Sequence, residues 1–236
     1  MFIIIVANLS FGERFMNNSK SVFLLILMFF SFLVTPIFAQ EKIDALVQYR
    51  NGRTLENQGK MDEAKALYQV AVDVCTKELQ EKPNNIESYV VLTWSLLRMG
   101  RYNETIAECN KALKINANES RIIETKAEAL FYVNNYTESL TCFEKYLGSA
   151  NPNQERYSTA YFFVGEIYRL QHKYEHADIA YSRALQIYPG ASLWWYRLGI
   201  SRENSGNKAG AKVAYQQALK WRPNYPDATA ALKRVQ

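Results

Sequence analysis

Histidine and cysteine are scarce in this chain of 236 residues, which holds two of the first and three of the second. That scarcity removes most metal and redox chemistry before any motif is sought. His172 and His176 are spaced by four, as in helical metal sites, but a turn is expected at His172, so the two do not share a helical face. Cys75, Cys109 and Cys142 fit no metal or redox spacing and imply no disulfide framework, while a single bridge among them stays open. Glycine-rich phosphate loops, paired-carboxylate motifs and serine or cysteine nucleophile motifs are missing, so neither an enzyme nor a cofactor is expected. Glu124 and Glu128 lie one helical turn apart, the ordinary pattern of a polar face. No stripe of Lys and Arg interleaved with aromatics occurs, so the net charge of +5 is a dispersed surplus and nucleic acid is not an expected partner.

One long stretch without charge is present. From Ser21 to Gln40 there is no ionisable side chain, Val22 to Val34 is almost unbroken apolar sequence, and Lys20 stands just upstream. Pro36 and Ala39 close the run in the layout of a secretory signal peptide, with cleavage expected between Ala39 and Gln40 and export to a periplasm or envelope. The alternative is an inner-membrane anchor over residues 21–39, because the run is about long enough to cross a bilayer. Met16, followed by Asn17, Asn18, Ser19 and Lys20, suits a start better than Met1. Removing residues 1–39 takes away Arg14, Lys20 and Glu13 and leaves a surplus of +4.

The rest of the chain is periodic. Shifted by 34 residues, Tyr161 falls on Trp195, Val164 on Leu198, Gly165 on Gly199, Ala177 on Ala211, Tyr181 on Tyr215, Ala184 on Ala218 and Pro189 on Pro223. A plain bundle has apolar residues at spacings of three and four, but nothing makes its Gly, Ala and Pro recur at one long offset. The glycines and alanines allow close helix approach, the rings fill the space between, and the prolines stop each second helix. Weaker copies stay in phase upstream, through Gly52, Ala64 and Tyr68, then Tyr89, Cys109 and Ala112, then Ala127, Phe143 and Tyr146. Cys109 occupies the place of Tyr181 and Tyr215, while Lys126 and Ser139 take an apolar place and an alanine place. Asn103 is a candidate cap for a second helix.

This pattern resembles the tetratricopeptide repeat, a helix-turn-helix unit of the same length. The resemblance implies an all-α fold: an α-solenoid of about five tetratricopeptide-like repeats at residues 45–85, 86–119, 120–153, 158–191 and 192–225, closed by a C-terminal capping helix at 226–236. Seven residues are added to the first unit, and four, Gln154 to Tyr157, are inserted before the fourth. The resemblance also implies a non-enzymatic scaffold whose first helices line a groove for a protein or peptide partner. The groove candidates are Tyr49, Arg50 and Arg53, then Val90, Val91 and Trp94, then Arg121, Glu124, Thr125 and Glu128. Later units add Phe162, Phe163, Glu166 and Arg169, then Tyr196, Arg197 and Ile200, with Trp94 and Phe162 as expected anchors. The clamp that grips the C-terminal carboxylate of heat-shock chaperones needs Lys and Asn where this chain has Tyr49, Arg53 and Val91. A different reading is an accessory protein of a transport system, with aromatics near Trp94, Phe162 and Tyr196 enclosing a small solute. Self-association through the end units is the third, and the cap at Pro226 argues against it.

Overall fold

The computed structural model describes residues 44–149, 151 and 156–235. The expected signal peptide or anchor, with Met16 and the run from Ser21 to Gln40, lies outside the described residues. Within them eleven α-helices follow one another without a strand. First helices are α1 (Ala45–Asn57), α3 (Ile86–Arg98), α5 (Ser120–Tyr132), α7 (Tyr157–Leu170) and α9 (Ser192–Asn204). Each is followed by a second helix: α2 (Met61–Glu81), α4 (Tyr102–Ile115), α6 (Tyr136–Ser149), α8 (Tyr174–Ile187) and α10 (Lys208–Trp221). The chain ends in α11 (Pro226–Arg234). No helix among the described residues is long and apolar enough to cross a membrane.

The turns inside the five units share one backbone device. Gly59, Gly100, Asn134, His172 and Gly206 all have positive φ, between 59° and 85°. In each turn that residue's N–H donates to a carbonyl three residues back, and the next N–H donates to one five back, as from Lys60 to Leu55 and Lys173 to Tyr168. These bonds satisfy carbonyls that the end of the first helix would otherwise leave open. His172 therefore sits in a turn because the repeat requires a left-handed residue there, and its Nδ1 lies 2.7 Å from the Tyr174 hydroxyl. Second helices end before Pro83, Pro189 and Pro223, and α11 begins on Pro226, whose missing N–H costs nothing at a first helical position. At α4 the expected cap is corrected. The N-cap position is Arg101, Asn103 lies inside the first turn, and Arg101 donates to Glu104 at 2.6 and 2.7 Å instead.

Packing within a unit depends on one small and one large residue facing each other. A Cβ built on Gly52 would stand 2.6 Å from the Tyr68 ring, one on Gly165 would stand 2.6 Å from the Tyr181 ring, and one on Gly199 would meet Tyr215 closer still. Tyr68, Tyr181 and Tyr215 are each fully buried. In the second unit Thr93 takes the glycine place and Cys109 the tyrosine place, and in the third Ala127 and Phe143 do so, all four buried. Side-chain volume thus moves from one helix to the other while the space stays filled, which a close-packed interior demands. The two polar departures in the third unit are also satisfied. The Ser139 hydroxyl donates to the Ala127 carbonyl at 2.7 Å, and Lys126 pairs with Glu138 at 2.6 Å.

Candidate functional site

The first helices α1, α3 and α5, with the start of α7, enclose a cleft of about 740 Å³. Leu46 and Tyr49 from α1 and Trp94 and Leu97 from α3 give it an apolar floor, with Tyr146 of α6 at the back. The Tyr49 and Trp94 rings lie 5.4 Å apart at 32°, and Trp94 is only half-buried. Arg50, Arg53, Arg98 and Arg121 stand around the floor, and Thr159 and Arg156 close its far side.

Arg156 belongs to none of the repeat positions. It is the last inserted residue but one, immediately before α7, and it reaches back to α5. Its guanidinium donates to Glu124 at 2.6 and 2.9 Å and also to Glu128. Both carboxylates are buried, at 3% and 4% exposure, which corrects the expectation of a plain polar face. Burial pushes the Glu124 carboxyl up, Arg156 opposes that, and the like charge of Glu128 adds to it. Burial would lower the affinity of the Arg156 guanidinium for its proton, but Glu124 and Glu128 outweigh it and the group is held charged above its usual range. One guanidinium so placed keeps two neighbouring buried carboxylates tolerable. Periodicity could not identify this residue, because it lies in the insertion that breaks the period. The sequence signal for it was faint: an arginine about 30 residues after two glutamates that sit one turn apart on α5.

The other candidates separate into three groups. Tyr49, Arg53, Trp94, Arg121 and Glu124 line the cleft together with Arg50. Val90, Val91, Thr125 and Phe163 are corrected to core residues: Val90 is 1% exposed, and Phe163 packs against Phe131 and Phe143. Spacing on the first helix put them on the groove, but neighbouring helices cover them. The third group sits on the same face farther along and is paired internally. Phe162 stacks on Trp194 at 5.1 Å, and Tyr196 packs on Tyr225 at 5.2 Å. Glu166 is buried, accepts a hydrogen bond from the Tyr181 hydroxyl and from Arg169 at 2.9 Å, and lies 3.4 Å from Arg197. Ile200 joins a buried cluster with Tyr215 and Ala231. Trp94, Phe162 and Tyr196 therefore have separate partners, and no ring contact among the described residues joins them into one enclosure.

Known proteins match this architecture. Family models described as tetratricopeptide repeat match residues 125–192 and 195–225, and a model described as anaphase-promoting complex, cyclosome, subunit 3 matches residues 64–146. The fold is a solenoid of tetratricopeptide-type repeats. Among solved structures, a thermophilic tetratricopeptide protein of Thermus thermophilus superposes with a TM-score of 0.61 at 18% identity, covering 81% of this chain and 98% of the other. YrrB, a tetratricopeptide protein with an unusual peptide-binding site, superposes with a TM-score of 0.56 at 16% identity, covering 84% of this chain and 95% of the other. At these identities the likeness concerns the fold. The Bos taurus protein SGT1 homolog is 28% identical over 75 residues, which is 32% of this chain and 22% of that protein, so the match spans about a fifth of the relative. Solenoids of this type are generally protein-interaction scaffolds and are generally non-enzymatic.

Proposed function

We propose that the chain is a non-enzymatic scaffold that binds a protein or peptide partner in the cleft between α1, α3 and α5, in a bacterial envelope compartment. The observation that carries the binding reading is the half-buried Tyr49–Trp94 pair on the floor of an open cleft of about 740 Å³, ringed by arginines. An aromatic floor with a charged rim is the layout in which a few anchors supply affinity and rim charges supply orientation. The envelope location rests on the N-terminal sequence alone, on the uncharged run from Ser21 to Gln40 with Ala39 at its end. The transport-accessory reading loses its basis, since it needed Trp94, Phe162 and Tyr196 around one solute.

Site-specific photo-crosslinking in the native host tests the binding reading. A photoreactive residue at Leu46 or Thr159, inside the cleft, should trap a partner, and one at Ile179, 72% exposed on a second helix, should not. Trapping from Ile179 with none from the cleft would overturn the proposal. The location is tested separately by mass spectrometry of the native protein, where an N-terminus at Gln40 is expected and an intact Phe23–Phe38 peptide in the membrane fraction would show an anchor.

A further inference from the structure

The arginines of the cleft are unequally neutralised. Arg121 has two carboxylates, Glu87 at 2.7 Å and Glu119 at 2.8 Å, and Arg156 has Glu124 and Glu128. On the α1–α3 side two guanidiniums share one carboxylate and a third has none. Arg53 lies 3.5 Å and Arg98 3.7 Å from Glu56, and that carboxylate already accepts the Tyr68 hydroxyl at 2.6 Å. The Arg53 Nε is shielded from solvent yet has no hydrogen-bond partner, and its Nη1 reaches only the Tyr49 hydroxyl at 3.3 Å. Arg50, exposed at the cleft mouth, makes no ion pair among the described residues. The positive surplus is therefore local, and it borders the Tyr49–Trp94 floor.

From this imbalance we infer that the occupant of the cleft is an acidic peptide segment, with Asp or Glu side chains over Arg50, Arg53 and Arg98 and a bulky apolar side chain on Tyr49 and Trp94. The inference rests on the cleft being the binding face. Guanidiniums that line a groove and have none or only a share of one carboxylate suit a carboxylate from a partner, which they can take in a charge-assisted, bidentate contact. Arg50 and Arg53 are one turn apart on α1 and Arg98 is on α3, so the surplus is spread wider than a single chain terminus and matches side chains along a segment. On the opposite wall Arg121 and Arg156 are each already paired with two carboxylates, so the unpaired positive charge lies at one side of the cleft and fixes the direction of the bound segment.

The test is a selection of phage-displayed random dodecapeptides on the full chain, followed by affinity measurements on the selected peptides made with free and with amidated C-termini. Selected sequences should place Asp or Glu beside Leu, Phe or Trp. Replacing those acids by Gln or Asn should weaken binding about tenfold or more, and Arg50→Gln with Arg98→Gln should do the same and flatten the salt dependence. Arg50→Gln alone, at an exposed residue whose side chain makes no ion pair among the described residues, keeps the test valid if the double variant is unstable. Amidation should matter little. Neutral or basic peptides that still lose binding on Trp94→Ala would overturn the acidic occupant and leave the cleft reading standing. Peptides indifferent to Trp94→Ala in a folded variant would overturn both. Affinity lost on amidation but kept on replacement of the acids would overturn the segment in favour of a terminal carboxylate.

Discussion

The two halves of the array use the same face differently. In the fourth and fifth units, where Gly165, Tyr181, Gly199 and Tyr215 keep the repeat strictly, the first-helix face is filled by the chain itself: Phe162 on Trp194, Tyr196 on Tyr225, and Glu166 among Tyr181, Arg169 and Arg197. In the second and third units the signature decays, to Thr93 with Cys109 and Ala127 with Phe143, while the first keeps Gly52 against Tyr68, and across these three units the face opens into a cleft. The residues that announce the fold are packing residues, constrained by volume. The residues that make a site are those the packing leaves free, so the period marks where they can stand and not which of them stay open.

The sharpest way to break this comparison is to attack packing in the strict half. Tyr181→Ala should cost about 3 to 5 kcal/mol of stability in urea unfolding, as other large core truncations do. Gly165→Ala should also destabilise, by about 1 to 3 kcal/mol, because the new Cβ meets a buried ring. Stability unchanged from the parent in both variants would mean that the glycine–tyrosine contact is not what holds the unit.

Arg156→Ala comes next. It leaves Glu124 and Glu128 buried without their cation and should cost about 3 kcal/mol. Adding Glu124→Gln and Glu128→Gln should recover much of that loss, and a triple variant no more stable than the single one would contradict the role given to Arg156. Trp94→Ala and Phe162→Ala then separate the halves by function. Trp94→Ala should weaken partner binding by about 2 kcal/mol with little change in stability, whereas Phe162→Ala should act mainly on stability through its stack with Trp194. Trp94 and Phe162 looked equivalent in the sequence, and titrating both variants with the same partner shows whether they are.

The smallest effect is expected at the C-terminal end. Hydrogen bonds from Arg234 hold the Glu203 carboxyl below its usual 4.5, against the opposing effect of burial and with help from the Tyr215 hydroxyl. A carboxyl lowered in the folded state contributes stability above the unfolded value and loses it as pH falls through the folded one. Arg234→Ala should therefore remove under about 1 kcal/mol at neutral pH, Arg234 being largely exposed, and nothing once Glu203 is protonated. A deficit that persists at low pH would assign the contribution of Arg234 to packing.

Much of the architecture was legible in the sequence because it depends on residue volume and backbone freedom, which single letters report. Gly165 and Gly199 facing large rings, and turns at Gly59, Gly100 and Gly206, are of this kind. The site was legible only in part. Tyr49, Arg53, Trp94 and Arg121 followed from first-helix spacing, but Val90 and Phe163 share that spacing and are covered by neighbouring helices, which only the superhelical stacking decides. Arg98 and Arg156 were missed for opposite reasons: one sits at the end of a helix among packing residues, and the other lies in an insertion outside the period.

Hydrogen exchange of the full chain, with and without a peptide selected on it, tests most directly whether the open half is the binding face. Binding should slow exchange in α1, α3 and α5 and leave α9 and α10 unchanged. Protection confined to α7 and α9, with none in α1 and α3, would contradict the account.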